Sequence, residues 1–116
     1  MHLTQSETIQ FDDFLKVDIR VGTILETTLN QKAKKPAYIL KIDFGDAGIK
    51  TSSAQITEHY QPEQLIGSQI VAVMNFPPKK VAGVLSEVLV LACVSETEGT
   101  VLLQPTQFVS NGNRVL

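Results

Sequence analysis

Tryptophan is absent from this chain and cysteine occurs once, at Cys93. A lone thiol closes no internal disulfide, which fits a reducing compartment. Histidine is nearly as scarce: His2 lies near the N-terminus and His59 stands alone. Zinc needs three or four closely spaced Cys, His or carboxylate ligands, so no metal site is expected, and Cys93 reads as a small core residue. No apolar run approaches the roughly 20 residues of a membrane span. The first residues lack the basic and apolar regions of a secretory signal, so the expected location is cytoplasmic, without membrane insertion. A net charge of -2 does not support wholesale adhesion to nucleic acid, which depends on neutralising phosphates. An RNA site would have to be a local basic patch on an acidic body.

Catalysis fares no better. Ser52, Ser53 and Ser86 have no evident base, and neither a nucleophile elbow nor a phosphate-cradling loop is present. Asp12 and Asp13 fit a helix start as well as they fit acid–base work. The residues contain no enzyme constellation and imply no cofactor.

What the sequence does contain is strand. At 116 residues it is one domain, of a size that buries about two-thirds of its unfolded surface. Residues 1–10 read as a flexible N-terminus and 11–116 as the folded unit. Phe11-Asp-Asp-Phe-Leu15 reads as a short helical turn. Val17, Ile19 and Val21 alternate with period two, and the phase slips at Gly22, where a bulge or bend is expected. Tyr38, Leu40, Ile42 and Phe44 give the clearest alternation, opposed by Lys41 and Asp43. A turn at residues 45–48 leads into a third strand, and Gln55 to Tyr60 reads as a helical turn. Pro62 opens a better helix that Gly67 ends. Strands are expected over residues 69–76, 86–94 and 101–104, with a closing edge strand after a turn in the tail. Three strands, a helix and two strands are the order of an all-β, five-stranded OB-fold barrel. The fourth and fifth strands are apolar on both faces, which calls for a second layer from chain extensions or a partner subunit, so a homodimer is expected.

The most informative stretch is residues 75–92. Pro77-Pro78 stiffens the lead into Lys79 and Lys80, read as a lysine pair on a turn beside Asn75 and Phe76. Arg20 faces either an ion pair with Asp18 or an anionic ligand in the groove. Lys32, Lys34 and Lys35 form a second basic turn. Of the aromatics, only Phe76, Tyr38 and Tyr60 could serve as stacking platforms, which disfavours a generic single-strand binder.

Asp18-Ile-Arg-Val-Gly-Thr-Ile24, residues 75–92, Leu102-Leu-Gln-Pro105 and Asn111-Gly-Asn-Arg-Val115 together resemble the tRNA-binding OB domain. That domain occurs at the C-terminal end of many bacterial methionyl-tRNA synthetases and as free-standing proteins. Ile42-Asp-Phe-Gly45, Ile49-Lys-Thr-Ser-Ser-Ala-Gln-Ile56, Asn75-Phe-Pro-Pro-Lys-Lys80 and Ser86-Glu-Val-Leu-Val-Leu91 are similar to the CsaA-like export-chaperone subgroup. The resemblance implies a barrel whose N- and C-terminal extensions form a dimer interface. It also implies binding of unfolded preproteins and the secretion ATPase, and in the wider domain binding of tRNA. By motif, Arg20, Asn75, Lys79, Lys80 and Ser86 would line the ligand face, with Phe76 beside them. Phe11, Phe14 and the tail from Phe108 and Val109 would form the dimer. Gln31-Lys-Ala-Lys-Lys-Pro-Ala37 replaces the usual His-Pro-x-Ala-Asp-Lys-Leu type segment, and Ser53-Ala-Gln-Ile56 replaces a Val-Ser-Gly segment. Both departures point away from simple tRNA delivery, while the extra lysines around Lys34 point toward it.

Overall fold

The computed structural model describes residues 6–116; His2 and half of the proposed flexible segment, residues 1–5, lie outside the described residues. Residues 6–10 carry no regular element. Gln10 then caps helix α1, Phe11–Leu15, its backbone N–H donating to Asp13 Oδ2 at 2.9 Å. Asp12 and Asp13 fall in the first helical turn, where the exposed N–H groups favour negative charge.

The body is a five-stranded antiparallel sheet curled into a nearly closed barrel, in the order β3-β2-β1-β4-β7. Its strands are β1 (Ile19–Leu29), β2 (Tyr38–Asp43), β3 (Ile49–Ala54), β4 (Gln69–Val73) and β7 (Leu89–Val90). Two hairpins are added, β5 (Lys79–Val81) with β6 (Val84–Ser86), and β8 (Ala92–Ser95) with β9 (Gly99–Leu102). Helix α2, Pro62–Leu65, links β3 to β4. Among the described residues, no helix is long and apolar enough to cross a membrane.

The period-two pattern of β2 sets the core. Leu40, Ile42 and Phe44 are fully buried and Tyr38 nearly so, packed with Ile24, Ile56, Leu65, Ile70, Ala72 and Val88. Strand β1 serves two neighbours: residues 19–23 pair with β4 and residues 23–29 with β2. Gly22 lies where one partner gives way to the other, yet the expected bulge falls further on, between Ile24 and Glu26. Gly22 is instead required by close packing. A Cβ there would lie 2.7 Å from Ile42 Cγ2 and from the Phe44 ring.

Closure of the barrel differs from the sequence expectation in a way that shapes the surface. The single strand expected over residues 86–94 is three short pieces. Glu87 N–H donates to Thr51 O at 2.7 Å, which holds the chain against β3. Four residues later Leu91 N–H donates to Val71 O at 2.8 Å, so the chain has moved to β4. Beyond that, among the described residues, β8 pairs only with β9. The β8–β9 hairpin projects from the barrel, which leaves Cys93 exposed rather than in the core and Val94 80% exposed. The strand expected over residues 69–76 likewise ends at Val73 as a ladder, and within residues 55–60 a turn forms at residues 57–59.

The tail returns to β1 as an edge. Val21 N–H donates to Asn113 O, Gly112 N–H to Val21 O and Val115 N–H to Ile19 O, at 2.7–3.0 Å. The buried Gln69 side chain anchors it, accepting Val109 N–H at 3.0 Å and donating to Val109 O at 2.6 Å.

Gly22→Ala is expected to destabilise the fold by about 1–3 kcal/mol through overpacking against Ile42 and Phe44. Urea denaturation would show a lower midpoint at unchanged slope, and an unchanged midpoint would refute the packing account.

Candidate functional site

Lys79 and Lys80 lie on a strand, not on a turn. The turn comes after them, at Ala82 and Gly83, whose φ angles of 47° and 84° are both left-handed. Two left-handed residues between antiparallel strands are the signature of a tight type I′ hairpin. Glycine accepts that conformation freely, whereas Ala82 holds it against steric resistance. Lys79 is the cross-strand partner of Ser86, and Lys80 of Leu85, so alternation sends the two lysines to opposite faces of the hairpin.

Lys79, Phe76 and Ser86 converge on one cavity of about 310 Å³, whose apolar wall includes Pro77, Val81 and Leu89. Phe76 is 53% exposed at this opening. The Ser86 hydroxyl also has a structural duty, accepting Ser53 N–H at 3.1 Å. A second, predominantly apolar cavity of about 390 Å³ adjoins the first, sharing Ser53 and Leu89 with it and running along residues 89–92.

The second basic turn comes to the same hairpin. Asn30 Nδ2 donates to Ala82 O at 3.5 Å, and Asn30 Oδ1 accepts Lys32 N–H at 3.1 Å. A Cβ on Gly83 would come within 3.7 Å of Lys32 Nζ. Lys32 therefore joins the Lys79–Lys80 hairpin, with Lys34 and Lys35 exposed on the same loop. Sequence spacing hid this juxtaposition, since some fifty residues separate Lys32 from Gly83.

Other sequence-predicted residues are drawn into the framework. Arg20 Nε donates to Asp18 Oδ1 at 2.8 Å and its Nη1 to Gly112 O at 2.9 Å, so the ion-pair alternative is the one observed. Asn75 Oδ1 accepts Asp18 N–H at 2.9 Å, and Asn75 Nδ2 donates to Lys16 O at 2.7 Å. Neither residue lines the Phe76 cavity. Tyr38 is buried, its hydroxyl donating to Tyr60 O, and the Tyr60 hydroxyl accepts Leu102 N–H. Of the three rings offered as stacking platforms, Phe76 alone is an exposed one.

Phe11 and Phe14 stand with ring centroids 6.2 Å apart, Phe11 being 65% exposed. Phe108 is exposed and Val109 half-buried. Arg114 Nη2 donates to Leu15 O at 2.7 Å, which ties the tail to the end of α1.

Residues 19–114, the barrel and its returning tail, match the family described as "Putative tRNA binding domain". The chain belongs to the tRNA-binding domain family. Its structural neighbours are CsaA chaperones. One from Bacillus anthracis is 53% identical with a TM-score of 0.90, the match covering 95% of this chain and all of that one. Another from Picrophilus torridus is 48% identical with a TM-score of 0.87, covering 94% of this chain and all of the other. A methionine–tRNA ligase of Methanococcoides burtonii is 40% identical over 106 residues, 91% of this chain but 15% of the ligase. The match to the ligase thus reaches only a domain-sized part of that enzyme. The departures at residues 31–37 and 53–56 fall on the loop at the hairpin tip and on the wall of the larger cavity, beside the candidate site of this tRNA-binding domain.

Asn75→Ala leaves Asp18 N–H and Lys16 O without their side-chain partner and is expected to destabilise the fold by about 1–2 kcal/mol. Ala82→Gly relieves the left-handed strain and is expected to raise stability by about 0.5–1 kcal/mol. Thermal unfolding checks both, and a stability loss on Ala82→Gly would refute the strain.

Proposed function

We propose that this chain is a non-enzymatic, CsaA-type chaperone that captures unfolded or preprotein polypeptide in support of protein export. The observation that carries this reading is the pair of adjoining apolar cavities, with the half-exposed Phe76 and the cation of Lys79 at one opening. Apolar side chains of an unfolded segment would leave water there, while Lys79 would engage carbonyl or carboxylate oxygens. A native protein, with such side chains already buried, has little to offer. The likeness to CsaA chaperones supports the same reading. On this proposal the protein works in the cytoplasm, needs no metal or cofactor, and meets the secretion ATPase as it hands over its client.

The unit in solution is a homodimer. The exposed rings of Phe11 and Phe108, with the half-buried Phe14 and Val109 beside them in sequence, support it, because large apolar side chains are otherwise left to water.

A second reading, binding of tRNA or another structured RNA, is favoured by one observation and by the family. Lys79 and Lys80 on the two faces of the hairpin, Lys32 at its tip, and Lys34 and Lys35 on the adjoining loop gather five cations around it. One barrel presents few cations, so RNA affinity would depend on two barrels acting together.

Salt separates the readings. Phosphate contacts release counterions, so RNA affinity falls steeply with salt, whereas apolar capture tolerates it. The test is fluorescence anisotropy with unfractionated tRNA and a labelled unfolded polypeptide at low and high salt, alongside Lys79→Ala/Lys80→Ala. Polypeptide binding that survives high salt is the expected outcome. Negligible polypeptide affinity, with salt-sensitive tRNA binding lost in the double variant, would replace the first reading by the second.

A further inference from the structure

We infer that the open seam between β3 and the β7–β8 segment takes one extended strand of a non-native polypeptide and reads it through its backbone. This deepens the polypeptide-binding reading above and rests on it. β3 pairs with β2 on one side only. On its other side the backbone groups of Thr51 and Ser53 point outward, and residues 86–87 satisfy part of that edge: Thr51 O accepts Glu87 N–H, and Ser53 N–H donates to Ser86 Oγ. The closing chain then turns away to β4. Past β3, the N–H and C=O of Gln55 make no hydrogen bond to another described residue.

The facing wall carries a matching free edge. Val90 stands opposite Ala72, and Leu91 N–H goes to Val71 O, so alternation turns the Val90 N–H and C=O away from β4. Leu91 O accepts Leu103 N–H, which by the same alternation turns the Ala92 backbone away from β9. Both edges open onto the cavity of about 390 Å³, whose remaining wall is apolar, with Ile56, Leu89, Leu91 and Leu102 in it. A barrel lacking part of one strand, with backbone donors and acceptors turned into the gap from both sides, is a template for strand addition.

The occupant follows from that chemistry. Main-chain bonds to Gln55 and Val90 fix direction without reading sequence, as a binder of many clients requires. Every second side chain of the added strand faces the apolar wall. The client is therefore an extended segment, apolar at alternate positions and free of proline. Folded proteins have few free strands to give, and RNA has none.

The test leaves the protein untouched and alters the ligand. A fluorescein-labelled heptapeptide alternating Leu and Ser, whose pattern pins its register, is titrated into the full chain by anisotropy, unmodified or N-methylated at one or the other alternate set of amides. Sedimentation velocity is run in parallel. Methylation of one set is expected to weaken binding about tenfold or more by removing donors and blocking the strand approach, and methylation of the other set to change it less than about twofold. Tight unmodified binding with equal or no sensitivity to the two methylation sets would overturn the strand while leaving polypeptide capture intact. No binding of the unmodified peptide would overturn both. Peptide binding that converts a dimer to monomers would assign the seam to a second copy of this chain and likewise overturn the proposal.

Discussion

The candidate face depends on where residues 86–91 can find backbone partners. The segment is bonded to β3 at Glu87 and to β4 at Leu91, and it cannot stay with both. An antiparallel barrel needs its last strand to lie between two neighbours along its whole length. Here the segment touches them in succession, and β7 shrinks to two residues. The gap left behind holds the larger apolar cavity, the chain before it is free to fold out as the lysine-bearing hairpin, and the chain after it leaves the barrel as β8. Ser52 and Ser86 lie at this transfer. The Ser52 hydroxyl donates to Val88 O at 3.0 Å and Ser86 Oγ accepts Ser53 N–H, so side chains substitute for ladder bonds the backbone cannot make.

Two chemistries share that face without opposing each other. The lysines are exposed and lie on the hairpin and its neighbouring loop, so their charges remain hydrated. The smaller apolar cavity is lined by the hairpin and Ser53, and the larger one adjoins it between the end of β3 and residues 89–92. A ligand with oxygen atoms along one side and hydrocarbon along the other would satisfy both, and an extended polypeptide has that character. Phosphodiester strands satisfy the cations alone. The scarcity of exposed rings leaves little for bases to stack on, which separates this face from single-strand binders built on aromatic platforms.

Much of the barrel was legible because its signals are local. The alternation of Tyr38, Leu40, Ile42 and Phe44 maps directly onto burial, and Pro62 and Gly67 bracket α2 as their backbone preferences require. Gly22 was legible as an anomaly but not in kind, since close approach by Ile42 and Phe44 is a tertiary fact. Residues 86–94 misled for a related reason: an unbroken apolar run says that both sides are covered or waiting to be covered, not which strand covers them. Cys93 followed the same error. Phe76, Lys79 and Ser86 lay close enough in sequence to be grouped, whereas Lys32 reached the hairpin only through the Asn30–Ala82 contact. Arg20 and Asn75 had the composition of ligand-binding groups, and the partners that occupy them, Asp18, Gly112 and Lys16, are invisible to spacing.

The return of the tail to β1 bears on how such a domain is carried within longer chains. The Arg114–Leu15 and Val115–Ile19 bonds bring the two ends of the fold to one place on the barrel wall. Joined to neighbouring sequence at either end, the barrel behaves as a cassette with both leads at the same corner. That arrangement also sets its mechanics. Tension applied between the leads opens the antiparallel tail–β1 contact like a zip, one bond at a time beginning at Val115, instead of shearing several bonds together. The tail is thus the part that yields first to a pull, with the barrel core loaded only after it.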